Sequence, residues 1–69
     1  MNNFVKMDVA IELIADKISK TTTKLETTNN VQYENELNNL IEERNKIYNG
    51  DINTIDKVIN IYGNELKIK

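Results

Sequence analysis

The chain contains no cysteine, histidine, proline or tryptophan, and only two glycines and a single arginine among its 69 residues. Without cysteine there is no disulfide staple and no thiol nucleophile; without histidine the commonest zinc ligand and neutral-pH proton carrier are missing. Catalysis would fall to carboxylates, lysines, tyrosines and hydroxyls, and no converging set of these is visible. Neither enzymatic activity nor a cofactor or metal is expected.

Long hydrophobic runs are missing too. The longest apolar stretch, Val9 to Ala15, is interrupted by Glu12 and falls far short of the roughly 20 residues a bilayer requires. The start of the chain lacks the charged region and small-residue cleavage site of a secretory leader, so no membrane association is expected and the cytoplasm is the expected compartment. A basic surface is absent as well. The formal charge is −2 and the pI about 5.0, which argues against nucleic acid as a partner, since phosphate binding draws on concentrated positive charge. Lys17, Lys20 and Lys24 form one stripe, but three lysines without interleaved aromatics give only weak, salt-sensitive contact.

What is present is helical periodicity. Phe4, Met7, Ile11, Ile14, Ile18, Thr21 and Leu25 are spaced alternately three and four apart, the heptad seam of a helix or coiled coil that packs against something. The spacing predicts helix one over residues 3–28, about 37 Å long at 1.5 Å per residue, with weakening at the branched Thr21-Thr22-Thr23 run. Thr27 to Asn30 forms a turn, with Asn29 the expected N-cap and Gln32 completing a capping box. Helix two is expected over about 30–48 and ends at Asn49-Gly50. Helix three follows over about 52–67, capped by Asp51 or Asn53, with a main stripe of Ile52, Ile55, Ile59, Tyr62 and Leu66, Ile61 and Ile68 off it, and Gly63 weakening its last turn. The expected fold is all-α, one small domain over residues 1–69, in which helices two and three form a tight hairpin with helix one packed on them. A core of this size rarely supplies more than about 3–5 kcal/mol. With disulfides and zinc excluded, a homo-oligomer, a dimer first, is the expected supplement.

Two constellations point to candidate sites. Val5, Val9 and Leu13 recur every four residues, nearly opposite the seam, bordered by Asp8, Glu12 and Asp16. An edge helix needs only one buried stripe, so the second predicts a protein partner or sister chain with those six residues as its contact set. Charge reverses along the same helix: Lys6 stands against Asp8, Glu12 and Asp16 in the first sixteen residues, and Lys17, Lys20 and Lys24 against Glu26 thereafter. An antiparallel copy would complement that reversal. Asp8, Glu12 and Asp16 share a face that could gather a hard cation only if other helices added ligands; a solvated acidic ridge is the expectation.

Arg44 falls on the centre line of helix two's apolar face, among Tyr33, Leu37, Leu40, Ile41, Ile47 and Tyr48. A guanidinium there pairs with an anion, stacks on an aromatic or reaches out to water. The alternative reading of the chain is therefore a small-ligand or nucleotide-binding oligomer using Arg44 with Tyr48, Tyr62 and Tyr33. The run Leu37, Leu40, Ile41, Arg44, then Ile55, Asp56, Ile59 and Tyr62, superficially resembles the helical hairpin of small aspartyl-phosphate phosphatases of Gram-positive bacteria, over about the last 35 residues. Their Ser-Gln-Glu-Leu-Asp motif is replaced by Asn53-Thr54-Ile55-Asp56-Lys57, and Asp56 alone does not carry the activity over. The leading expectation is a non-enzymatic interaction module that self-associates and binds a protein. Heavy Asn, Ile and Lys usage suits an AT-rich source, and an acidic module of this size suits a regulator or inhibitor borne by a phage or mobile element.

Overall fold

The computed structural model describes residues 3–67, with side chains from Phe4 to Glu65; Ile68 and the Leu66 side chain lie outside the described residues. Three helices follow one another: α1 (Asn3–Thr28), α2 (Val31–Tyr48) and α3 (Ile52–Lys67). Among the described residues no strand forms, so Asn49-Gly50 does not make a β-hairpin turn. The helix limits match the periodicity to within about a residue because helix ends are set by local chemistry.

Each junction shows that chemistry. Asn29 takes the left-handed conformation, φ 53°, and its N–H donates to Leu25 O at 2.8 Å, closing α1 with the single bond of an αL cap. Asn30 is extended, and its side chain accepts from Gln32 N at 2.8 Å. The N-cap of α2 is thus Asn30 and not Asn29, and the expected capping box does not form, because Gln32 stands two residues after the cap and not three. At the second junction Gly50 has φ 81°. Its N–H reaches Ile47 O at 2.9 Å while Asp51 N–H reaches Lys46 O at 3.0 Å, the paired bonds of a Schellman motif. Asp51 then caps α3, accepting from Asn53 N at 3.2 Å and from the Thr54 hydroxyl at 3.1 Å.

The threonine run does not interrupt α1. Thr22 donates to Ile18 O at 2.8 Å and Thr23 to Ser19 O at 3.1 Å, so these hydroxyls are satisfied by the preceding turn. Gly63 likewise sits within α3, which continues to Lys67.

Direction and register follow from cross-helix contacts. Lys6 meets Asp56 and Lys17 meets Glu65, both at 3.4 Å, so α1 and α3 run parallel. Lys24 lies over the Tyr33 ring and Glu43 meets Lys57, so α2 runs antiparallel to both. The core draws two buried residues from each helix: Ala10 and Ile14, Leu40 and Ile47, Ile55 and Val58. Met7, Ile11, Leu13, Ile18, Ile59 and Tyr62 pack around them.

The architecture departs from the expected hairpin in one respect. α1 is the central element, packed along both α2 and α3, whereas α2 and α3 touch each other least. Between them lies a cleft of about 410 Å³ lined by Glu36, Asn39, Glu42, Glu43, Lys46 and Tyr62 among others. The facing flanks of those two helices carry long polar side chains, with Glu43 bridged to Lys57 and Tyr62, while α1 offers each an apolar flank. The result is flat, with Cα extents of 39 × 29 × 14 Å.

Candidate interaction face

The second stripe of α1 has an occupant within the chain. Leu13 Cδ1 lies 3.8 Å from where a Cβ on Gly63 would stand, and the Lys6–Asp56 and Lys17–Glu65 pairs flank it. Leu13 thus belongs to the α1–α3 contact, facing Gly63. Val9 is half-buried and Val5 remains 46% exposed, so the stripe divides between an internal contact and the surface. The inference that this stripe needs a second chain no longer follows from it. Asp8 and Glu12 are exposed, and Asp16 pairs with Lys20 at 3.0 Å. Among the described residues no cluster of three or more carboxylates has the geometry of a metal site. The basic half of α1 is also engaged: Lys17 with Glu65, Lys20 with Asp16, and Lys24 over Tyr33 at 5.7 Å. Few free cations remain for an antiparallel copy of α1.

The four residues of the ligand-binding alternative do not converge. Tyr33 and Tyr48 stand near opposite ends of α2, about 22 Å apart by helical rise. Tyr62 faces the α2–α3 cleft, where its hydroxyl donates to Glu43 Oε1 at 2.9 Å. Lys57 Nζ donates to the other oxygen of the same carboxylate at 2.8 Å, and Lys17 Nζ sits 5.9 Å from the Tyr62 ring centroid. Burial first, then the Glu43 bond and the charges of Glu43, Glu65 and Glu36, hold the Tyr62 phenol well above its ordinary range. Lys57 is raised by its hydrogen bond to Glu43 and by that group's charge. Glu43, only 16% exposed in its side chain, is the hub that reading the sequence passed over. Its signal was its place on the stripe Glu36, Leu40, Glu43, Ile47, one flank round from Arg44.

Arg44 points the other way. Since Glu43 and Glu36 turn toward α3, a residue about 100° further round α2 lies on the opposite flank, together with Leu37, Ile41 and Tyr48. On α1, the flank away from Lys6, Leu13 and Lys17 carries Phe4, Ile11, Ala15 and Ile18. These two flanks form one face of the α1–α2 pair that α3 leaves uncovered. Ile11, Ile18, Leu37 and Ile41 are half-buried there, Phe4 is 82% exposed although it belongs to the heptad seam, and Tyr48 is 55% exposed. Arg44 stands in the middle with its Nε buried and without a hydrogen-bond partner. No carboxylate of the described residues pairs with its guanidinium. The interhelical ion pair that would account for an arginine at this position is therefore not made among the described residues.

No helix of the described residues is long and apolar enough to cross a membrane. Comparisons with known protein families, with curated proteins and with solved structures each return no match, so the chemistry of this face is the guide to function.

Proposed function

We propose that this chain is a non-enzymatic helical interaction module that self-associates and receives protein helices on its uncovered α1–α2 face. The observation that carries this reading is Arg44, the sole arginine, whose Nε is buried and unpaired amid half-buried Ile11, Ile18, Leu37 and Ile41. The guanidinium makes no ion pair among the described residues, so its terminal Nη donors can take a carboxylate or carbonyl from a second chain. Arginine and aromatic side chains framed by aliphatic surface are the composition from which protein contacts draw most of their energy. The stripe of Val5, Val9 and Leu13 that first suggested a partner surface is less suited, since Leu13 is occupied by α3.

The reading is tested by Ile41→Lys. Ile41 lies outside the six-residue core, so helicity by circular dichroism should stay near wild type while the mass measured by light scattering falls toward that of one chain. A variant that keeps the wild-type assembly would sink the assignment of this face.

A further inference from the structure

The uncovered flank of α2 carries its own heptad: Glu34, Leu37, Ile41, Arg44 and Tyr48, spaced three, four, three and four apart. Its charge order is self-complementary under reversal, with an acid at one end, two aliphatics in the middle and the arginine toward the other end. We infer that two copies of this chain pair through α2 in antiparallel orientation about a two-fold axis, setting each Glu34 against Arg44 of the partner subunit and each Leu37 against the partner's Ile41. This rests on the reading of the α1–α2 face as an interaction surface and assigns that face its occupant.

Three observations converge on a second copy. Neither the Glu34 carboxylate nor the Arg44 guanidinium makes an ion pair among the described residues, and these are the charged groups on this stripe that reversal brings together. Glu34 and Arg44 are ten residues apart, about 15 Å along the helix, and an axis midway between them aligns Leu37 with the partner's Ile41 in the same step. A parallel pairing would instead set Glu34 against Glu34 and Arg44 against Arg44, which like-charge repulsion disfavours. Each site is incomplete in one chain: the acceptor that Arg44 lacks comes from the partner.

Charge reversal separates this arrangement from other uses of the face. Glu34 is exposed in the first turn of α2, so Glu34→Lys should fold, confirmed by circular dichroism, yet weaken dimerisation about 30-fold or more in sedimentation equilibrium, since both symmetric pairs are lost. Arg44→Glu should weaken it similarly, and the double variant Glu34→Lys/Arg44→Glu should return the dissociation constant to within about threefold of wild type, because two reversed pairs reform. A double variant no tighter than the singles overturns the pairing. If Ile41→Lys dissociates the assembly while the charge variants leave it unchanged, the face is right and the α2 register is wrong. If Ile41→Lys has no effect, the reading of the face fails. A wild-type chain that stays monomeric at millimolar concentration overturns the inference.

Discussion

Gly50 and Asn29 show how single residues end helices here, each in left-handed backbone where L side chains are strained. A Cβ on Gly50 would meet nothing within 4 Å, so Gly50→Ala should cost only the backbone term, about 1–2 kcal/mol. Asn29→Gly should act in the opposite direction, stabilising by less than about 1 kcal/mol, since Asn tolerates this conformation better than most residues. Urea midpoints moving in opposite directions would confirm both; a destabilised Asn29→Gly would mean that the Asn side chain contributes to the turn. Tyr62 makes a prediction in pH. Its phenol is raised in the folded protein, so the folded state holds the proton more tightly. The associated stability is complete below the ordinary phenol value of 10.0 and is lost as pH climbs above it. Tyr62→Phe should therefore flatten the alkaline fall in stability while costing about 1 kcal/mol at neutral pH through the lost Glu43 bond. Denaturant titrations at neutral and strongly alkaline pH would reveal an unchanged slope if the assignment is mistaken.

At the scale of elements, the number, order and limits of the three helices were legible in the sequence because heptad spacing and capping residues act within a few positions of one another. The partners of each face were not. Val5, Val9 and Leu13 form a regular stripe in sequence, yet only Leu13 meets Gly63, which a reading of α3 alone treats as a weak point in the helix. In the fold the same glycine faces Leu13 of α1 at a distance that leaves room for a methyl group. Leu13→Lys should accordingly reduce stability, by about 2–4 kcal/mol, by forcing a charge into the α1–α3 contact, and should not act only on assembly. Gly63→Ala should be tolerated and even stabilise α3 by about 0.5–1 kcal/mol, because the added methyl finds ordinary contact with Leu13 and the helix loses less backbone entropy. Thermal melts of the two variants would test the contact; equal destabilisation by both would place Gly63 too close to α1 for any side chain.

For the whole molecule, the question is how so small a chain stays folded. Two core residues per helix, with α3 covering only one side of the α1–α2 pair, leave a flat unit with much of its apolar surface at half burial. Folding linked to association predicts a thermal midpoint that rises with chain concentration, as mass action requires when only the folded state self-associates. The same scan on Ile41→Lys should lose that dependence. A midpoint that does not move over a hundredfold concentration range would show that the single chain is stable by itself.

Absent residue types and helical spacing by themselves determined an all-α chain of three helices, without disulfides or histidine ligands, and located the one arginine on an apolar face. Those features depend on composition and on contacts within a turn or two. The tertiary structure decided that α1 lies at the centre, that Glu43 holds Tyr62 and Lys57, that Leu13 faces inward against Gly63, and that Arg44 is left without an acceptor. Each of these depends on which helix flank meets which across a separation of many residues, and the geometry of packing, not the local pattern, settles that choice.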